Sequence, residues 1–190
     1  MSATFTVIFD ACVLYPAPLR DLLMHLAMTG LFRARWTDQI HDEWTRNVLT
    51  KRPDLKPEQL HRTRELMNAH ALDCLVTGYE LLISGLSLPD PNDRHVLAAA
   101  IRARADVIVT FNLKDFPAEH LEEFGIEAQH PDEFVTHQID LDAGLVCTDV
   151  KRQRQNLKNP PRTALELLAT FEAQGLPQTV LRLKKFAELL

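Results

Sequence analysis

The chain has 190 residues, 46% of them hydrophobic and 25% charged, with a net charge of -5 at pH 7. That length suits one well-buried α/β core plus an appendage, since domains commonly hold roughly 100–200 residues, and the balance excludes a disordered or fibrous chain. No apolar stretch approaches the ~20 residues that cross a bilayer and no basic-then-apolar start marks a secretory signal, so a cytoplasmic protein is expected, and the acidity leaves any contact with nucleic acid to local basic patches or bound metal.

Thr4 to Phe9 is a β-branched and aromatic run too apolar to keep one face in water, which predicts a central parallel strand buried on both sides. It ends in Asp10, and Cys12 follows two residues later. Cys12, Cys74 and Cys147 are odd in number and make no CxxC, so they read as buried free thiols rather than a disulfide framework or zinc site. After Pro16 and Pro18, the spacing of Leu19, Leu22, Leu23 and Leu26 predicts a helix to Met28, stopped at Gly30. Phe32 to Trp36 alternates like a short strand, and Thr37 offers a hydroxyl cap to a helix reaching Lys51, with Glu43 inside it. A further helix is expected from Pro57 to Leu72, and short extended pieces at Leu81-Leu82-Ile83 and Leu86.

Leu88-Pro89-Asp90-Pro91-Asn92 cannot be helical, because each proline pushes the residue before it towards extended geometry; the segment delivers Asp93 to the start of a helix through Ile101. Asp106 to Thr110 predicts a second buried strand. A loop with Asn112 and Asp115 then leads to a helix ending near Gly125 and a last short strand at Ile126-Glu127-Ala128. Strands separated by helices imply right-handed crossovers, a parallel sheet and helices on both of its faces. Beyond Pro131 the chain reads as helices over about 141–156, 161–173 and 177–190, which divides it into an α/β domain over 1–135 and a helical extension over 136–190. That extension holds eight Lys and Arg against six Asp and Glu, so its charge is +2 and the remainder of the chain carries -7.

Ligands of open parallel sheets bind at the carboxyl ends of the strands. Asp10 ends the first strand there and Asp115 follows the second, while Asp93 and Glu43 sit on helices that can bring them to the same edge. Clustered carboxylates repel and stay ionised only when cations neutralise them, and an all-oxygen set favours magnesium or manganese. Each acid has a plainer reading too. Asp93 suits a helix cap, Glu43 with Asp38 and Asp42 suits a solvated helical face, and Asp115 suits a turn. Asp10 is the hardest to explain away, since an ionisable group after a wholly apolar strand is costly to desolvate without compensation.

Val7-Ile8-Phe9-Asp10, Glu43-Trp44, the run from Asp90-Pro91-Asn92-Asp93 to Ala100, and Val109-Thr110-Phe111-Asn112-Leu113-Lys114-Asp115-Phe116 together resemble the PIN-domain nucleases, in particular the VapC-type ribonuclease toxins of prokaryotic toxin–antitoxin pairs. The resemblance covers roughly residues 4 to 135. It implies that Asp10, Glu43, Asp93 and Asp115 form an acidic quartet for magnesium or manganese, that Thr110 and Asn112 orient metal or water, and that Asp90 stands in reserve for Asp93. It further implies RNA as substrate, 5′-phosphate and 3′-hydroxyl products, a small antitoxin as partner and a homodimer. Relatives often carry Thr or Ser and then Asn after the first aspartate, whereas this chain has Ala11 and Cys12.

Competing classes fit less well. A haloacid-dehalogenase-like phosphatase needs a second Asp where Cys12 stands, and neither GxGxxG nor GxxxxGK[ST] occurs. A processing nuclease outside any toxin pair and a catalytically weak binding module remain as alternatives. Lys151-Arg152-Gln153-Arg154 with Lys158 forms a basic cluster that suits either a phosphate backbone or a solvated helix face.

Overall fold

The computed structural model describes residues 5–190; Thr4, expected in the first strand, lies outside the described residues. By their internal packing the described residues divide into two compact units, one holding residues up to Tyr15 together with Phe32–His130, the other Pro16–Leu31 with Pro131–Leu190.

The first unit is built on a parallel sheet of four strands in the order β2-β1-β3-β4, with β1 at Thr6–Phe9, β2 at Arg33–Arg35, β3 at Val107–Val109 and β4 at Glu127–Gln129. Register pairs Ile8 with Arg35 on one side and with Ile108 on the other, and Ile108 in turn with Ala128. Every residue of β1 and β3 is buried, as their apolar runs require. A short helix α1, Ala11–Leu14, follows β1 directly.

The helix α3, Asp38–Lys51, starts where Thr37 Oγ1 accepts the Ile40 N–H at 3.0 Å. The helix α4, Pro57–His70, packs on α3 and is tied in by a chain of ring donors. Trp36 Nε1 donates to Asn68 Oδ1 at 2.8 Å, His41 Nε2 lies 3.0 Å from the same oxygen, and Trp44 Nε1 donates to His41 Nδ1 at 2.9 Å. The indole N–H fixes His41 Nδ1 as the acceptor and hence Nε2 as the protonated nitrogen. The helix α5, Arg94–Ala103, lies against β1 and β3 with Val96 to Ala100 all buried, and its alanines permit close approach to the sheet.

Two expectations are corrected here. Residues Glu80–Gly85 form 3-10 turns rather than extended pieces, with Leu81 left 93% exposed, so nothing on that segment offers a sheet edge. The segment before Gly125 makes two separate 3-10 turns, Ala118–His120 and Glu122–Phe124, in place of one helix.

The second unit is helical throughout: α2 at Ala17–Ala27, α6 at Pro131–Leu141, α7 at Ala143–Asn156, α8 at Ala164–Ala173 and α9 at Pro177–Leu183. The helix α6 was not anticipated, and 3-10 geometry replaces the expected continuation of α9 at Lys184–Phe186. Buried Asp132 on α6 accepts the N–H groups of Gln178 and Thr179 at 2.9 and 2.8 Å, so its carboxylate satisfies the orphan donors that open α9. Thr163 and Glu166 cap α8 reciprocally. Among the described residues no helix is long and apolar enough to cross a membrane.

Candidate functional site

The carboxyl end of β1 delivers Asp10, which is 3% exposed and extends the pairing with β3 by one residue, its N–H reaching Val109 O at 3.1 Å. Charge at such a position demands donors, and two are present. Thr110, at the end of β3, donates its hydroxyl to Asp10 Oδ2 at 2.7 Å, and the Cys12 thiol donates to the same oxygen at 3.1 Å. The donors are themselves held: Asn112 N–H points to Thr110 Oγ1 at 3.0 Å and Phe111 N–H to Cys12 Sγ at 3.3 Å. Burial, and after it the charge of Asp10, pushes the Cys12 thiol far above its ordinary range, so it remains a protonated donor.

Asp93 ends a single 3-10 turn, Pro91–Asp93, immediately before α5. The capping reading of this residue does not hold, because its side chain makes no cap hydrogen bond and the cap of that turn is Asp90, whose Oδ1 accepts Asn92 N–H at 2.8 Å. Asp93 instead meets other acids. Burial first, then the charges of Asp10, Asp90 and Asp115, raise its pKa from 3.8 to about 7, against a smaller opposing effect of His95. That coupling brings Asp10, Asp90, Asp93 and Asp115 into one electrostatic neighbourhood.

Glu43 joins through a histidine. It is half-buried on α3, and its Oε1 lies 2.9 Å from Nε2 of His95, a close polar contact outside hydrogen-bond alignment. His95 is 3% exposed and its Nδ1 has no hydrogen-bond partner among the described residues. Asp115 is half-buried in the 3-10 turn Leu113–Asp115, its N–H bonded to Asn112 O at 2.9 Å. Asn112 is exposed, and the contact it makes with this network is through its backbone N–H.

Cys12 is the residue that sequence reasoning undervalued, its only signal being its place two residues after the acid at a strand end. His95, two residues beyond Asp93, is read from the sequence as a residue that lines the site, and it does lie against Glu43. Among the described residues no group of three or more His, Cys, Asp or Glu side chains closes into a ready-made metal cage. The donor set still suits a hard cation, since magnesium takes one or two carboxylates directly and keeps water in its other positions, and the raised Asp93 marks negative charge that lacks a counter-charge.

The family described as "PIN domain" matches residues 6–114, and the "VapC50 C-terminal domain" matches residues 131–185. A protein of Mycobacterium tuberculosis (strain ATCC 25618 / H37Rv) described as "Putative ribonuclease VapC50" is 53% identical over 64 residues, which is 34% of this chain and 37% of that protein. The match therefore spans about a third of that relative's length. No solved structure matches the chain. With the sheet, the acid after β1 and the match over residues 6–114, the chain belongs to the PIN-domain family.

Proposed function

We propose that the chain is a magnesium- or manganese-dependent endoribonuclease that hydrolyses RNA phosphodiester bonds to 5′-phosphate and 3′-hydroxyl ends. The observation that carries the reading is Asp93, whose carboxyl is pushed to about 7 by burial and by Asp10, Asp90 and Asp115 rather than satisfied by donors. Burial together with several like charges at the carboxyl edge of a sheet is the pattern of a site that takes up a cation. The name of the M. tuberculosis relative adds support for ribonuclease chemistry.

Asp10, Asp93 and Asp115 would hold the ion. When bound, a divalent cation supplies activation of water and neutralisation of charge on the leaving oxygen of an in-line displacement. The chain's own part is positional. Thr110 and Cys12 fix the rotamer of Asp10 through Oδ2, and His95 holds Glu43, which positions the attacking water. Burial of Asp10 and Thr110 keeps bulk solvent away from that corner, where electrostatic interactions strengthen.

The role we assign is that of the toxin of a toxin–antitoxin pair, restrained by a small protein partner and acting as a homodimer. The test is incubation of the purified chain with mixed cellular RNA and Mn2+ or Mg2+, beside EDTA and Asp10→Asn controls. Equal cleavage by the variant refutes the site. Growth arrest on expression, relieved by Asp93→Asn, checks the toxin role; arrest that persists in the variant would point to sequestration of a partner instead.

A further inference from the structure

The carboxyl edge of the sheet carries an aromatic pair that the hydrolytic chemistry leaves without a task. The rings of Phe111 and His130 meet edge to face, with centroids 5.1 Å apart and planes at 76°. Both residues stand just past neighbouring strand ends, since Val109 of β3 pairs with Gln129 of β4 and Thr110 N–H reaches Gln129 O at 3.0 Å. The backbone of Phe111 is also tied to the acidic centre. Its N–H points to Cys12 Sγ at 3.3 Å, and Cys12 donates in turn to Asp10 Oδ2 at 3.1 Å.

Core packing is supplied elsewhere. Phe116, on the same loop as Phe111, is 2% exposed and anchors that loop, and the rings of Phe9, Trp36, His41 and Trp44 meet inside the unit. Phe111 and His130 are only half-buried, so part of each reaches solvent. Two rings set nearly perpendicular form a corner. A flat group that enters it lies face-on to one ring and meets the other with its edge, and both arrangements are favourable between aromatic partners. Unpaired bases of nucleic acid stack on phenylalanine and histidine in this way. Lys114, exposed on the same loop, adds a cation for the phosphate backbone that the neighbouring Asp115 repels.

We propose that Phe111 and His130 form the subsite for one unpaired nucleobase of the RNA, beside the phosphodiester bond that is cut. The inference rests on the ribonuclease function proposed above and narrows its substrate. A base inside a duplex has both faces covered by its neighbours, so the strand must be single where it meets the pair. Every base has a flat face to offer, so the corner holds the strand without reading its sequence. The two rings bind substrate and take no part in the hydrolysis.

The test follows the fluorescence anisotropy of a labelled single-stranded RNA oligonucleotide titrated with the full chain. Ca2+ replaces Mg2+, since it takes oxygen ligands without the octahedral geometry that magnesium demands, and one abasic nucleotide is scanned along the strand. An abasic nucleotide at one position should raise Kd about tenfold, and Phe111→Leu should do the same to the intact strand. The two changes together should cost no more than either alone, because both remove one stack. Phe111→Trp should keep the affinity. His130→Ala should weaken the intact strand and leave the strand with that abasic position unchanged. The same RNA as a duplex should bind at least about tenfold more weakly. A Kd for Phe111→Leu within about threefold of the parent, losses that add in full at every abasic position, equal binding of the duplex, or no binding of either RNA overturns the proposal. Where Phe111→Leu fails to fold, the scan on the parent decides, and indifference to every abasic position overturns it. Cleavage in Mn2+ is followed in parallel. Cleavage that ignores both the abasic scan and Phe111→Leu sinks this inference alone, and base-dependent binding without cleavage sinks the ribonuclease reading alone.

Discussion

Two aspartates that each stand at the start of a helix end in opposite situations. Asp132, in the helical unit, is buried, and its two oxygens accept backbone N–H groups from Gln178 and Thr179. Asp93, in the sheet unit, is partly buried and faces Asp10, Asp90 and Asp115. The first carboxylate is answered by donors and holds two helices together; the second is answered by more negative charge and awaits something positive. Burial alone does not separate a structural acid from a functional one, but the identity of the neighbours does.

The sharpest way to break the contrast is Asp10→Asn, which keeps the shape and removes a charge from the functional side. RNA cleavage should fall by at least about a hundredfold, the scale of several kcal/mol of lost charge stabilisation, with unchanged circular dichroism. Activity within a few-fold of the parent contradicts the assignment. On the structural side, Asp132→Ala strands two amide donors at the start of α9 and should cost about 2–3 kcal/mol in chemical denaturation, leaving cleavage per folded molecule intact.

Asp93→Asn should do the reverse of Asp132→Ala. Folded Asp93 keeps its proton to about 7, and the unfolded chain releases it near 3.8, so stability falls as pH rises through that window. Replacing the acid removes the loss: the metal-free variant should be about 1–2 kcal/mol more stable than the parent at pH 8, with solvent screening of a half-exposed group allowed for, and no more stable at pH 4. A variant less stable at pH 8 means that Asp93 is a structural acid after all. The smallest effect concerns His41, a satisfied titratable group in the same unit as Asp93. Burial, opposed by its bond to Asn68, lowers its pKa, so its contribution is present above pH 6.5 and lost as pH falls through the folded value. Trp44→Phe frees Nδ1 to take a proton; it should cost about 1 kcal/mol at neutral pH and flatten the acid side of the stability profile.

Much of this was legible because it is local. Apolar runs in β1 and β3, the Thr37 cap and the proline-locked approach to Asp93 are written within a few residues of where they act. The 3-10 turns at Glu80–Gly85 were not, since a short apolar stretch fits an extended piece and a tight turn equally well. The helix α6 escaped because its opening acids, Asp132 and Glu133, looked like loop chemistry until the partner of Asp132, 46 residues away in α9, is known. The thiol at Cys12 looked like a departure from its relatives, and only the position of Thr110 across the sheet reveals it as a donor to Asp10. The roles of Glu43 and Asp115 rest on tertiary neighbours that periodicity does not report.

The grouping of Pro16–Leu31 with Pro131–Leu190 has a consequence for biosynthesis. The helix α2 leaves the ribosome more than a hundred residues before α7 and α8, the helices it packs against. Until they arrive, the leucines at 19, 22, 23 and 26, all fully buried at the end, have none of that cover, and long sequence separation makes such contacts slow to form. A nascent chain halted after His130 therefore carries a sticky helix in its first thirty residues, and a holdase chaperone that shields leucine-rich helices would find its client there.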